Sequence, residues 1–175
     1  MMNRLELVIP TEEYKQQILA YREEFISNSD SLDGTAGLHA AETFEEWYEA
    51  LLDNSKEETK REGRVPATTY LAIRTEDSAL VGMIDIRHRL NDYLFACGGH
   101  IGYSVRKSER RKGYATEMLK LALTACRELG ITKVLVTCDK NNISSARTIL
   151  SNGGILENEI IDDDGITQRY WITIQ

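Results

Sequence analysis

Residues 106–116, RKSERRKGYAT, decide how this chain is read, because they join a stretch of strand character to a stretch of helix character. Upstream, His100 to Val105 (HIGYSV) is short and largely apolar. Downstream, Ala115, Met118, Ala122, Cys126 and Leu129 recur every three to four residues, which draws one apolar stripe along a helix ending near Gly130. Between the two, five cations (Arg106, Lys107, Arg110, Arg111 and Lys112) fall within seven positions, with Glu109 as their only local counter-charge. A helix N-terminus offers free backbone N–H groups and roughly half a positive charge, so a glycine-bearing turn there suits an anion such as a diphosphate. Gly113 removes the side chain that would hold such a group off the backbone. The plainer reading is a solvated basic turn ahead of a surface helix. Neither GxxxxGK[ST] nor GxGxxG occurs, so the common nucleoside triphosphate and dinucleotide loops are not supported, and Arg110-x-x-Gly113-x-Ala115 is the pattern present.

Working outward, Leu5, Leu7 and Ile9 mark a first strand stopped by Pro10, and Thr11 is placed to cap a helix with Tyr14, Ile18, Tyr21 and Phe25 on its apolar side. Residues 27–37 are rich in Ser, Asp and Gly and read as a loop. Thr43 with Glu46 forms a capping box for a second helix that buries Phe44, Trp47 and Leu51. Strands follow from Thr68 to Arg74, from Leu80 to His88 and at HIGYSV, with residues 91–99 as a connection. After the basic turn and its helix, KVLVTC (Lys133 to Cys138) has the unbroken apolar character of a strand buried within a sheet. A short helix over 144–152 stops at Gly153-Gly154, and a hairpin over 155–174 closes the chain. This order predicts one α/β domain over 1–175, with a mixed, mostly antiparallel central sheet and helices on both faces.

A chain of 175 residues is long enough for one full core. Its net charge of −7 disfavours nucleic acid and anionic membrane as partners, the basic turn being a local exception. Three cysteines without metal-ligand spacing argue for a reducing, cytoplasmic setting and for no metal. No stretch approaches the ~20 apolar residues of a membrane span, and MMNRLELVIP has no signal-peptide core.

VRKSERRKGYATEML resembles the acetyl-CoA pyrophosphate loop of the GNAT superfamily of N-acetyltransferases, and CDKNNISSARTILSNGG resembles that family's second landmark, an Asn opening a short helix. VPATTY, IDIRHRLN, GGHIGY and RYWI are similar to one branch of predicted acetyltransferases. The resemblance implies a GNAT-like sheet in which two parallel strands, here His100 to Val105 and Lys133 to Cys138, splay apart to admit acetyl-CoA. It further implies that backbone groups of Tyr103, Ser104 and Val105 hold the pantetheine arm and the acetyl carbonyl. The diphosphate would lie on Arg111, Lys112, Gly113, Tyr114, Ala115 and Thr116, with Arg110 entering the loop and with Asn142 and Ser145 along the arm. Simple helix capping is the competing reading for Asn142 and Ser145.

Acyl transfer to an amine poses two proton problems. An acceptor of pKa ~10.4 costs roughly 4.6 kcal/mol to deprotonate at pH 7, whereas a departing thiolate of pKa ~8.5 costs about 2 kcal/mol if it leaves unprotonated. At the positions where GNAT enzymes commonly carry a Tyr acid, a Phe after the helix-ending Gly, and in some relatives a Glu base, this chain has Ile149, Gly154 and Thr137. The candidate bases are therefore His100, Asp85 and, less favourably placed, His88, with water or no single base as further readings. Against these stand a structural Asp85–Arg87 ion pair and a hydrogen-bonded core histidine at 100. Tyr170 and Trp171 are open between core, homodimer contact and acceptor pocket. Cys97 lacks a nearby histidine to activate it, which favours direct transfer in a ternary complex to a small-molecule or peptide amine. The rivals are a catalytically silent acyl-CoA-binding sensor and a small nucleic-acid module built on the basic turn.

Overall fold

The computed structural model describes residues 2–175. The strands are β1 (Leu5–Val8), β2 (Ala67–Arg74), β3 (Leu80–Arg87), β4 (Ile101–Val105), β5 (Lys133–Asp139), β6 (Ile155–Asp162) and β7 (Gly165–Thr173). The helices are α1 (Lys15–Ser27), α2 (Phe44–Asp53), α3 (Tyr114–Glu128) and α4 (Ile143–Ser151). The capping box at α2 forms: Thr43 accepts from the Glu46 N–H at 3.1 Å, while the Glu46 carboxylate reaches back to the Glu42 N–H, one residue earlier than the motif requires. Thr11 makes no side-chain cap, because Glu12–Tyr14 form a 3-10 turn ahead of α1.

The strands make two antiparallel sheets, β1-β2-β3-β4 and β5-β7-β6. One core lies between the sheets and α3/α4, joining Met118, Ala122, Cys126 and Ile149 to Val81, Ile84, Ile86, Val134 and Val136. The other lies between α1/α2 and the first sheet, joining Ile18, Tyr21, Phe25 and Trp47 to Leu71, Ile73 and Met83. Alternation along β3 explains the division: Ile84 and Ile86 face α3, while Met83 faces α1, and Asp85 and Arg87 share the side of Met83.

β4 and β5 face each other across the two sheets, yet no ladder joins them among the described residues. Their seam is the His100 N–H donated to the Leu135 carbonyl (2.7 Å) and the Leu135 N–H donated to His100 Nδ1 (2.9 Å). The chain reaches this seam through a π-helical turn over Leu94–Gly98, held by the Asn91 side chain on the Leu94 N–H. Gly99 follows at φ +68°, and a Cβ there would stand 2.6 Å from the Leu135 carbonyl oxygen, so the close approach of the two sheets needs glycine.

Candidate active site

The basic turn ends at Gly113, whose φ of +81° is the left-handed geometry that turns the chain into α3 without a side-chain cap. The N–H groups of Gly113, Tyr114, Ala115 and Thr116 find no acceptor among the described residues. A bare helix N-terminus of this kind is a ready anion site. The Tyr114 side chain is buried, with the Arg4 guanidinium 4.8 Å from its ring centroid, so only its backbone faces the cradle. The charge count along the turn needs correction. Arg106 pairs with Glu24, Arg110 with Asp30 and Lys112 with Glu109, so carboxylates from α1 and the loop after it neutralise cations that have one local counter-charge in the sequence. The oriented backbone is left to attract a diphosphate together with Arg111 and Lys107, neither of which has a carboxylate partner among the described residues, Lys107 reaching only the Asn28 side-chain oxygen.

Along β4 the ladder with β3 is phased by the Arg87 N–H on the His100 carbonyl and the Arg106 N–H on the Val81 carbonyl. Antiparallel alternation then turns the backbone groups of Gly102 and Ser104 towards β3 and those of Ile101, Tyr103 and Val105 towards β5. Ser104 is engaged further, since the Tyr21 hydroxyl sits 3.0 Å from its carbonyl and 2.9 Å from its Oγ. Val105 gives its carbonyl to Arg110 Nε at 2.8 Å. The Tyr103 N–H and carbonyl remain without partners among the described residues. The Tyr103 phenol bonds to Ser145 Oγ at 2.7 Å, and burial pushes its pKa up to about 12, so it keeps its proton. Asn142 caps α4 by accepting from the Ser145 N–H at 3.1 Å. Tyr103 and Ser145, far apart in sequence, thus meet between β4 and α4, while Asn142 is engaged in capping.

On the opposite face, a cavity of about 680 Å3 lies between α2, residues 32–41 and the floor of β2 and β3. Asp85 lines it and is 6% exposed. Its Oδ1 accepts from Thr69 (2.9 Å) and its Oδ2 pairs with Arg87 Nε (3.1 Å). Burial raises the Asp85 pKa, against the opposing pull of Arg87 and of the Thr69 bond. The loop over 32–41 lies directly on β4, and a Cβ on Gly34 would fall 2.6 Å from the Tyr103 Cα. Sequence reading left this contact out, although the DGTAG run signals a tight turn.

His100 is buried, and with Nδ1 accepting from Leu135 its neutral ring carries its proton on Nε2. Burial, with Arg87 nearby, lowers its pKa to about 4. As pH falls below the ordinary value of 6.5, the unfolded chain takes up this proton first. The stability it contributes is therefore complete above pH 6.5 and lost progressively towards pH 4. His100→Gln should lower the melting temperature at pH 7.5 and show a smaller further drop between pH 6.5 and 4 than the native protein, which thermal melts across that range would measure. His88 bonds through Nε2 to Thr68 at 2.7 Å.

The departures at 149, 154 and 137 have structural reasons. Ile149 is fully buried and presses on Gly154, where a Cβ would overlap the Ile149 side chain and stand 2.9 Å from its carbonyl oxygen. The two positions are therefore sterically coupled. Gly154→Ala should cost about 1–3 kcal/mol by overpacking, and part of that cost should vanish in the background of Ile149→Ala, as a double-mutant cycle by denaturant unfolding would read. Thr137 donates its hydroxyl to the Cys97 carbonyl. Tyr170 belongs to the core, and Trp171 leans on Phe95 at 6.3 Å between ring centroids.

The family model described as "Acetyltransferase (GNAT) domain" matches residues 4–155. The chain belongs to the GNAT acetyltransferase family. It is an N-acetyltransferase that takes its acyl group from acetyl-CoA, and the open N–H groups at α3 together with the unpaired edge of Tyr103 fit that cosubstrate. Among solved structures, RimL, a ribosomal L7/L12 alpha-N-protein acetyltransferase in complex with coenzyme A, is 15% identical with a TM-score of 0.71, over 99% of this chain and 96% of that one. Ribosomal-protein-S5-alanine acetyltransferase from Vibrio fischeri is 12% identical with a TM-score of 0.70, over 99% and 94%. Microcin C7 self-immunity acetyltransferase MccE, in complex with acetyl-CoA and AMP, is 16% identical with a TM-score of 0.67, over 99% and 94%. At such identities the likeness is one of fold. No curated protein matches this GNAT sequence. Among the described residues, no helix is long and apolar enough to cross a membrane.

Proposed function

We propose that this GNAT enzyme acetylates a primary amine by direct transfer, with the amine held in the cavity and Asp85 taking its proton. One observation carries the reading: Asp85 is both a wall of the cavity and the ladder partner of Gly102, beside the unpaired edge of Tyr103. When bound, acetyl-CoA supplies an acyl group already activated as a thioester. Gly113 to Thr116 would bind its diphosphate and Tyr103 its arm, while the α2 side of the cavity orients the amine. A carboxylate whose pKa is raised by burial is a stronger base than an exposed one and comes closer to the pH of the reaction. Asp85 is better suited than His100, whose Nδ1 lone pair is taken by Leu135. The Tyr103–Ser145 pair, whose phenol keeps its proton, would be the group able to give one to the departing thiolate.

An acyl-enzyme is disfavoured because burial raises the thiol pKa of Cys126 to about 11 and that of Cys138 above its ordinary value. Cys97, Cys126 and Cys138 are all unpaired, which fits an enzyme of the reducing cytoplasm. The test is release of coenzyme A thiol across a broad panel of amines, peptides and lysine-bearing proteins. Turnover of at least one amine well above hydrolysis supports the proposal. Saturable acetyl-CoA binding with hydrolysis alone across the whole panel would instead make the chain an acyl-CoA sensor.

A further inference from the structure

The floor of the cavity has an excess of hydrogen-bond donors. Arg87 is fixed on two sides: its Nε pairs with Asp85, and its Nη1 donates to the carbonyls of Gly98 (3.1 Å) and Gly99 (3.4 Å). Its Nη2 has no acceptor among the described residues and lies against β4, where a Cβ on Gly102 would stand 3.2 Å away. A side chain at 102 would press on the guanidinium, which glycine leaves unhindered. Both oxygens of Asp85 are engaged, by Thr69 and by Arg87. Arg64 lines the same cavity without a carboxylate partner among the described residues, and its charge is felt at Asp85. The remaining lining carboxylates lie on exposed residues: Asp33 accepts from Ser31, Glu46 from the Glu42 N–H, and Glu49 stands on the surface of α2. A preorganised guanidinium with one free edge is a group that recognises a carboxylate.

We propose that the acceptor is a small amine bearing a carboxylate, of the amino-acid type, and that Arg87 and Arg64 bind that carboxylate. The inference rests on the acetyl-transfer reading above. With the carboxylate on Arg87 Nη2, an amino nitrogen one carbon removed stays within the cavity, where Asp85 is also part of the wall. The same guanidinium disfavours the ammonium form of that nitrogen, which eases the proton loss that dominates the cost of the reaction. A cavity of about 680 Å3 has the size of a small-molecule site.

The experiment compares free amino acids with the primary amides of the same amino acids, and with short peptides, as acceptors in the thiol-release assay, alongside acetyl-CoA thermal shifts. The expected result is turnover of one or more free acids, with each amide at least about tenfold poorer in kcat/KM, the loss of one charge-assisted hydrogen bond. Arg87→Lys keeps a cation beside Asp85, and Arg64→Gln changes an exposed residue, so both should fold. Each should raise KM for the free acid by roughly tenfold or more while leaving the acetyl-CoA thermal shift in place. Amides accepted as well as acids, turnover confined to peptides or uncharged amines, or no free acid turned over by a protein that binds acetyl-CoA would each overturn the inference. Absence of the acetyl-CoA shift itself removes the acetyl-transfer reading and this inference with it.

Discussion

Gly113→Glu should abolish the rise in melting temperature that acetyl-CoA produces in the native protein. At a ligand concentration 100 times its dissociation constant, binding contributes about 2.7 kcal/mol, which is roughly 5 to 10 °C for a chain of this size. The variant acts in two ways. A side chain at φ +81° strains the turn that aims the N–H groups of Gly113 to Thr116, and a carboxylate at that point repels the diphosphate those groups would bind. A Cβ at Gly113 would meet only the end of the Arg4 side chain, at 3.3 Å, so the core is untouched and the ligand-free variant should melt within a few degrees of the native protein. The comparison is made by differential scanning fluorimetry with and without acetyl-CoA. A native shift that persists in the variant would show that the cofactor is held elsewhere.

Asp85→Asn should lower kcat/KM by about 10² or more, the scale of a lost general base, once an acceptor is in hand. The asparagine oxygen can still accept from Arg87 while its NH2 donates to the Thr69 hydroxyl, so acetyl-CoA binding should survive. The pH profile separates proton transfer from mere support of the cavity. Burial raises the Asp85 pKa, so the native rate should climb with pH through an apparent pKa above the ordinary carboxylate value of 3.8, and that limb should disappear in the variant. The stability term has the matching sign. A carboxyl whose folded pKa is raised favours folding most below its unfolded pKa and loses that advantage as pH rises through its folded value, and Asp85→Asn should remove this loss. A variant with wild-type kcat and an unchanged profile would confine Asp85 to holding Arg87.

What could be read from the sequence depended on range. The cap at Thr43, the apolar stripe of α3 as far as Cys126 and the strand–turn–helix order around Gly113 are local signals that the structure carries, while Leu129, read as the end of the stripe, lies past α3 and is exposed. The partners of the cations are not local: Glu24 and Asp30 come from about eighty positions away, so the turn looks far more basic in one dimension than it is in three. His100 and Asp85 could be named as titratable groups near the right strands. That Leu135 fills one His100 lone pair, and that Arg87 leaves one nitrogen uncommitted, are facts of register between segments that no periodicity encodes. The π-helical turn at Leu94–Gly98 has no composition signal at all, and it sets where β4 starts.

The seam at His100 and Leu135 also provides an observable for motion. Each sheet is stitched from one contiguous half of the chain, residues 5–105 and 133–173, and the Leu135 amide is held across the divide by an imidazole nitrogen rather than by a carbonyl of a neighbouring strand. Its proton should exchange with solvent whenever the halves swing apart, without any strand having to leave its ladder. Followed by NMR hydrogen exchange, that single amide acts as a gauge of how often the gap between β4 and β5 breathes, and its protection should rise or fall with acetyl-CoA before any other part of either sheet responds.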